Sequence, residues 1–532
     1  MTGRRAMRLA LLCALLGLAA LTRAQGSPQF VDISAAAGIT APHRAVWDPD
    51  DAREGYLAIG QAWGDYDRDG WIDLFVTGNL AANTLYRNLG DGRFAVSAHS
   101  PQLSLPGVPS GGATFADYDS DGWPDLYIVN HGANRLFRNE GGAGFRDVTA
   151  RAGVGDRGKG TSAAWGDYDS DGWLDLYVTN WSCFPECESV DFTRQADRLY
   201  HNNGDGSFTD VSGALGYAQT LGAGFAPAFI DYDSDGDLDL YVVNDKLQNE
   251  IGNLLWRNDG AGCEHWCWTN ASAGSGADLL INGMGIDAAD YDNDGDIDLY
   301  ITDMVYTMYL LRNDGAEFRN RAHSAGVALN YGPDQAVGWG AAFFDFDNDG
   351  WQDLYVAATN YHQTFPELEV SFMNARPDSL FRNDGRGGFV DVGAASGIAA
   401  DLPTLGVAYA DYDRDGDLDL LAGHWNSGYR LYQNQTRGGR WLSLELRGGG
   451  GINADAVGSK VYLSAGGLTQ LQTVRIGAGL GGNNQLPLHF GLGAASSADI
   501  RIVWANGAEC ALENLPANQH LRIVYGMTAG CG

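Results

Sequence analysis

From residue 30 to about residue 436 the apolar and polar positions fall into a recurring unit of four short strands separated by turns. No stretch keeps a helical period of useful length. The unit is plainest at residues 113–149. A small and aromatic strand, Ala113-Thr-Phe-Ala116, runs into a loop of alternating carboxylates, and the apolar strand Leu126 to Val129 leaves it. Asn134-Arg-Leu-Phe-Arg-Asn139 supplies a third strand, and Phe145-Arg-Asp-Val-Thr149, after a glycine-rich turn, supplies a fourth. Four-stranded units repeated along a chain are expected of propeller blades.

The third strands recur as Leu85-Tyr-Arg-Asn88, Leu136-Phe-Arg-Asn139, Leu199-Tyr-His-Asn202, Leu255-Trp-Arg-Asn258, Leu310-Leu-Arg-Asn313, Leu380-Phe-Arg-Asn383 and Leu431-Tyr-Gln-Asn434. Fourth strands start at Phe94, Phe145, Phe208, Trp268, Phe318 and Phe389, one fewer than the third strands. Phe30-Val-Asp-Ile-Ser34 has the missing fourth-strand pattern but precedes the first loop. If it completes the seventh unit the ring closes and no sheet edge is left over. The expectation is an all-β fold: a closed seven-bladed β-propeller over residues 28–436, with an open solenoid as the alternative.

Each unit carries the nine-residue word Asp-x-Asp-x-Asp-Gly-x-x-Asp, at spacings of 52, 50, 64, 59, 55 and 66 residues. Its carboxylates are Asp65, Asp67, Asp69 and Asp73; Asp117, Asp119, Asp121 and Asp125; Asp167, Asp169, Asp171 and Asp175; Asp231, Asp233, Asp235 and Asp239; Asp290, Asp292, Asp294 and Asp298; Asp345, Asp347, Asp349 and Asp353; and Asp411, Asp413, Asp415 and Asp419. Like charges this close repel unless a cation neutralises them. Asp at positions 1, 3 and 5 with Gly at 6 follows the first half of an EF-hand loop, and Asp at position 9 stands in for the closing ligand. Hard oxygen ligands in a flexible loop favour Ca²⁺ over Mg²⁺. About seven Ca²⁺ are expected, one per loop, in a structural role, with Kd of roughly 10⁻⁴ to 10⁻³ M or tighter. The plain alternative is a hairpin turn held by Asx hydrogen bonds. Position 7 is Trp71, Trp123, Trp173 and Trp351 in four loops and Asp237, Asp296 and Asp417 in three. Those indoles serve either blade packing or an exposed platform for sugar or protein.

The net charge of −33 excludes non-specific nucleic-acid binding and attraction to anionic membrane. The loops hold 28 of the 67 acidic residues, so seven divalent ions would reduce the charge to −19. Residues 1–24 read as a Sec-type signal peptide: basic Arg4, Arg5 and Arg8, an apolar run from Leu9 to Leu21, and a Thr22-Arg23-Ala24 cleavage site. Twin-arginine export and a membrane anchor are the weaker alternatives, the run being too short to span a bilayer. No later stretch is long and apolar enough to do so. Cys183, Cys187, Cys263, Cys267, Cys510 and Cys531 remain after the signal, an even number that suits an oxidising compartment. Bridges Cys183–Cys187, Cys263–Cys267 and Cys510–Cys531 are favoured over a four-thiolate zinc site, since the blade topology places the first two pairs on opposite faces. Asn180, Asn270 and Asn434 fit glycosylation sequons, read as random occurrence. Two long second-to-third insertions, Trp181 to Asp197 and Tyr361 to Asp378, are the candidate recognition loops.

The repeated Asp-Tyr-Asp-x-Asp-Gly-x-x-Asp-Leu stretches resemble the FG-GAP/VCBS repeats of integrin-type propellers. After Thr436-Arg-Gly-Gly-Arg440 the pattern changes to longer strands: Trp441 to Leu446, Asn453 to Val461, His489-Phe-Gly-Leu-Gly493 and Ile500 to Gly507. Residues 437–532 resemble the ASPIC/UnbV domain of the cartilage acidic protein family, a small β-rich domain here with a disulfide-stapled tail. The family's usual Trp-Pro-x-Gly is Trp504-Ala-Asn-Gly507, and the basic residue often seen near Ala454 is Asp455. No EGF-like module follows. The resemblance implies a secreted, extracellular or periplasmic Ca²⁺-binding protein acting as an adhesion or protein-interaction module. Its partner is an unidentified protein or glycan, and the chain is expected to be a monomer. A lectin-like carbohydrate binder or a polysaccharide-active enzyme is the alternative. Against an enzyme, the ten His are scattered, neither Gly-x-Ser-x-Gly nor His-Glu-x-x-His occurs, and His489 sits in an apolar context that reads as structural.

Overall fold

The computed structural model describes residues 29–45, 56–181, 196–216, 222–246, 251–329, 335–363, 370–398, 401–477, 479–528 and 531. The signal segment and Cys183–Cys187 therefore lie outside the described residues. Seven sheets, each built on four antiparallel strands and two of them carrying a fifth, follow one another, and the first strands of successive sheets contact each other around a ring. Blade 2 is representative: Ser110–Ala116, Asp125–Asn130, Arg135–Asn139 and Phe145–Asp147. Its first two strands are buried on both faces, whereas two of the three residues of its fourth strand are exposed. That gradient explains why the inner strands read as nearly continuous apolar runs.

Blade 7 comprises Thr404–Ala410, Asp419–His424 and Gly428–Asn434, completed by Phe30–Asp32. Phe30 pairs with Asn434, Val31 with Gln433 and Asp32 with Tyr432. The all-β, seven-bladed fold closed by this strand is the one expected. The insertion after Tyr361 extends blade 6 as a hairpin in which Val370–Asn374 pairs with Asp353–Gln363.

The third-strand Asn has a role that the repeat alone did not disclose. Its Nδ2 donates to the carbonyl of loop position 2 in the preceding blade: Asn139 to Tyr66 at 2.8 Å, Asn202 to Tyr118 at 2.9 Å, Asn258 to Tyr168 at 2.7 Å and Asn313 to Tyr232 at 2.7 Å. Asn383 to Tyr291 and Asn434 to Phe346, each at 2.8 Å, continue the series, and Asn88 to Tyr412 at 2.9 Å closes it. Seven buried amides thus tie every blade to its neighbour. Asn434 is spent in this way and is 1% exposed, in keeping with an unused sequon.

Outside the ring, residues 440–524 form a three-stranded and a four-stranded sheet. Arg440–Arg447 lies between Leu488–Gly493 and Gln519–Val524, and Lys460–Ala465 pairs with both Leu468–Thr473 and Ser497–Val503. Cys510–Cys531 is bridged, as is Cys263–Cys267 in the third-to-fourth turn of blade 4. The segment 475–487 leaves these sheets and enters the middle of the ring. Trp165 N donates to Ile476 O at 3.1 Å, Gly479 N to Ile286 O at 2.8 Å, Ala113 N to Gly481 O at 3.1 Å and Gln485 N to Tyr409 O at 3.2 Å. Gly482 and Asn483 run parallel to Gln61 and Ala62. First strands of blades 1, 2, 3, 5 and 7 all bond to this one segment. Leu480, fully buried, packs in the core cluster with Ile59, Trp63, Phe225, Met284 and Trp339. Glycine is required here: Gly481 has φ +64°, and a Cβ on it would meet Ile59 O at 2.7 Å. No helix among the described residues is long and apolar enough to cross a membrane.

Candidate metal centres

Every acidic loop joins the first strand of its blade to the second. The chain turns through a left-handed residue at position 4, with φ between 52° and 61° at Arg68, Ser120, Ser170, Ser234, Asn293, Asn348 and Arg414. It turns again at the position-6 glycine, φ 89° to 104°. The amide of that glycine then donates to Oδ2 of the position-1 Asp, at 2.9 Å for Gly70 to Asp65 and 3.0 Å for Gly236 to Asp231 and Gly295 to Asp290. The position-1 Oδ1 accepts the position-5 amide in blades 1, 5 and 6, at 3.1, 3.0 and 3.1 Å, and has no hydrogen-bond partner in blades 2, 3, 4 and 7.

In blades 1 to 4 the carboxylate oxygens gathered within 4.8 Å of one another come from positions 1, 3 and 9: Asp65, Asp67 and Asp73; Asp117, Asp119 and Asp125; Asp167, Asp169 and Asp175; Asp231, Asp233 and Asp239. Position 9 closes the loop and anchors it, accepting the third-strand Asn amide on Oδ1 at 2.8 Å in blade 1 and 2.7 Å in blade 2. Position 5 is drawn to the rim. Its Oδ1 takes the position-7 amide in an Asx turn, as in Trp71 N to Asp69 and Asp417 N to Asp415, both at 3.0 Å. Its Oδ2 meets the third-strand arginine in three blades. Arg87 bridges Asp67 at 2.6 Å and Asp69 at 2.7 Å, Arg138 bridges Asp119 at 2.5 Å and Asp121 at 2.8 Å, and Arg312 reaches Asp292 and Asp294, each at 2.8 Å. Where the third strand carries His201, that ring lies 3.4 Å from Asp169 and 3.3 Å from Asp175. Gln433 donates to Asp413 at 2.7 Å in blade 7. The recurring Arg-Asn of the third strand was the available signal for both roles.

The residues fit a cation. Buried oxygens with no hydrogen-bond partner face the loop interiors: both of Asp117, both of Asp347, and Oδ1 of Asp119, Asp167, Asp231, Asp233, Asp292, Asp411 and Asp413. A buried carboxylate oxygen left unbonded is costly, and a hard cation supplies the missing partner. Without one, burial first and neighbouring carboxylates next push these groups up, Asp65 to about 6, Asp167 to about 7 and Asp411 to about 8. For Asp117, pushed up to about 8, burial is again the first cause and the Asp455 charge the largest contribution after it.

The position-7 indoles are half-buried and mainly packing groups. Trp71, Trp123, Trp173 and Trp351 cover the third-to-fourth turns of their own blades, within about 3 Å of where a Cβ on Gly90, Gly142, Gly204 or Gly385 would lie. The guanidinium of Arg68, from blade 1, stacks 4.5 Å over Trp123.

The two outer sheets sit on this same loop face. Gly439 N donates to Asp347 O at 2.9 Å, so the Gly-rich connector is seated against blade 6. His489, 4% exposed, bonds Asn348 Oδ1 at 2.7 Å and stacks on Trp441; burial lowers its pKa to about 3, which keeps it neutral and structural.

Comparison with known proteins agrees with this architecture. The FG-GAP-like repeat model matches residues 65–128, 117–178, 189–242, 231–301, 290–356 and 367–422, well over half of the chain. The chain belongs to the FG-GAP-like repeat family. Residues 449–529 match the ASPIC and UnbV model. Among FG-GAP relatives, cartilage acidic protein 1 of Mus musculus is 25% identical over 510 residues, covering 88% of this chain and 74% of the relative. Its counterpart in Xenopus tropicalis is 24% identical over 501 residues, covering 86% and 72%. Neither is named as an enzyme. Among solved structures, a lectin of Agrocybe aegerita, described as recognising non-reducing terminal N-acetylglucosamine, covers 71% of this chain and 94% of its own at 14% identity and a TM-score of 0.38, too shallow a likeness to argue from.

Proposed function

We propose that the chain is a secreted protein-interaction module, of the adhesion type, whose FG-GAP-like propeller is held together by structural Ca²⁺, one ion in each acidic loop. The observation that carries the calcium reading is Asp117: 1% exposed, both oxygens unpartnered, with the orphaned Oδ1 of Asp119 and Oδ2 of Asp125 alongside. In blades 1 to 4 positions 1, 3 and 9 would hold the ion, and in blades 1, 2 and 5 the third-strand arginine would balance the charge that remains. Bound calcium supplies the counter-charge that lets four carboxylates share one buried turn. Two bridged cysteine pairs support an oxidising compartment.

Recognition is assigned to the face opposite the loops and to the blade rims. The loop face is occupied by the outer sheets, and the ring centre by Leu480 and its neighbours. The test has two parts. Metal analysis of the purified protein is expected to find about seven Ca²⁺, and excess chelator to lower the calorimetric melting temperature. A melt indifferent to chelator would sink the calcium reading. A pull-down with the secreted form, with and without Ca²⁺, is expected to retain a protein partner only with the ion. Capture of glycans alone would reassign the partner class.

A further inference from the structure

Blade 3 departs from the other six at the residue before its third-strand Asn. That residue is Arg87, Arg138, Arg257, Arg312 and Arg382 in five blades and Gln433 in blade 7, but His201 in blade 3. The difference is one of chemical kind. A guanidinium has five N–H donors and no free lone pair, so in blades 1, 2 and 5 it can only donate to the loop carboxylates. A neutral imidazole keeps one nitrogen without a proton, and that nitrogen is a metal ligand.

The His201 ring lies beside Tyr168 of its own loop, with centroids 6.2 Å apart. Its Nδ1 stands 3.4 Å from Asp169 Oδ2 and 3.3 Å from Asp175 Oδ1, yet that nitrogen is buried without a hydrogen-bond partner. Asp167, 5% exposed, brings a second orphan: its Oδ1 is unpartnered, in the group that Asp167 forms with Asp169 and Asp175. Asp169, Asp171 and His201 likewise offer ligand atoms within 4.8 Å of one another. Asp175 Oδ1 accepts Asn202 N at 2.8 Å, the kind of outer bond that orients a ligating carboxylate. Separations of 3.3 and 3.4 Å are the edges of a tetrahedron whose centre lies about 2.0–2.1 Å from each corner, the bond lengths of Zn²⁺ to imidazole and carboxylate. Ca²⁺ takes oxygen ligands, whereas imidazole suits zinc and its transition-metal neighbours.

We infer that the blade 3 loop is a selective site for a transition ion of the zinc class, held by His201 Nδ1, Asp169 and Asp175 with Asp167 beside them. That ion displaces Ca²⁺ in blade 3 and in no other blade, because the other six have arginine or glutamine where His201 stands. The inference rests on the calcium reading only for the ion displaced. One divalent ion replaces another, the imidazole being neutral with its proton on Nε2, so the charge of the loop is unchanged.

The test is dialysis of the full-length, Ca²⁺-loaded protein against excess Ca²⁺ containing a low concentration of Zn²⁺, followed by metal analysis and zinc-edge X-ray absorption. About one Zn²⁺ should be gained and about one Ca²⁺ lost, with the scattering signature of a single imidazole. His201→Arg installs the residue that five other blades have at this place, so it should fold, hold Ca²⁺ and take up no Zn²⁺. His201→Gln, the residue of blade 7, is the second variant should the first fail to fold. A His201 that serves only as a counter-charge, as the arginines do, predicts no zinc in the parent. That result, zinc retained equally by the parent and the variant, or zinc gained by a Ca²⁺-loaded protein that loses no Ca²⁺ overturns the inference and leaves the calcium reading standing. Protein that holds no Ca²⁺ but takes up one Zn²⁺, lost in His201→Arg, overturns the calcium reading and leaves the zinc site standing.

Discussion

Asn202→Ala isolates the blade-to-blade amide ring. The side chain is 1% exposed and makes three bonds: Nδ2 to Tyr118 O of the preceding blade at 2.9 Å, Nδ2 to Leu174 O at 3.0 Å, and Oδ1 from Gly204 N at 3.0 Å. Alanine leaves two interior carbonyls without their donor, while Gly204 N, on a turn, can find water. Each stranded group costs about 1–3 kcal/mol, so the expected loss is about 2–6 kcal/mol, with about 4 kcal/mol the central value. The neighbouring Asn203→Ala removes hydrogen bonds of similar length, to Ser207 at 3.0 Å and from Thr209 at 3.0 Å, but on an exposed turn. It should stay within about 0.5 kcal/mol of the parent. Denaturant melts in saturating Ca²⁺, followed by tryptophan fluorescence and by calorimetry, give both values. If Asn202→Ala also falls within about 0.5 kcal/mol, or the two substitutions cost the same, the amides do not hold the blades together and the argument from burial is wrong.

In chelator, the ion-free fold should lose stability as pH rises. Asp65, raised to about 6, Asp167, to about 7, and Asp411, to about 8, bind more protons folded than unfolded. Their contribution is therefore fully present below about pH 4 and lost as pH passes through about 6 to 8. In saturating Ca²⁺ the slope should reverse, because protons then compete with the ion; equal slopes in scanning calorimetry would refute this. Gly481→Val should cost more than about 3 kcal/mol, from the positive φ and the close approach to Ile59 O, and should make residues 437–532 protease-sensitive. Gly467→Ala, with nothing within 4 Å, should cost only the conformational penalty of about 1–2 kcal/mol. Replacing Cys510 and Cys531 by Ser, opening a bridge of sequence separation 21, should cost about 3 kcal/mol, read as a lowered melting transition of the outer sheets.

The blade count and the loops were legible because they are local. A strand pattern, an Asp at every second position and a glycine at position 6 are each decided by residues a few places apart. Closure was legible by subtraction, since Phe30-Val-Asp was a fourth strand with no blade of its own. The Arg and Asn of the third strand were visible as a repeat but not as contacts. Arg138 and Asp119 meet across a hairpin, and Asn139 and Tyr66 meet across two blades. Residues 475–487 were invisible in kind. Gly477, Gly479, Gly481 and Gly482 read as an irregular loop, and only the ring gives their conformations and Leu480 a purpose. The four-residue helical turns that follow the fourth strands, such as Thr149–Ala152 capped by Gly153, are too short to leave a period.

Closure by Phe30–Asp32 also sets an order of events on a growing chain. The bond from Gln29 N to Thr436 Oγ1 joins residues 407 positions apart, so no ring can exist until blade 7 has been made. Until then the outer edge of Gly428–Asn434 and the unpaired Phe30–Asp32 strand are complementary halves held by nothing. At high concentration, the same strand from another molecule fits that edge equally well. The seam that finishes the monomer is thus the place where two copies could exchange strands, and the long wait for it is the price of a ring with no free edge.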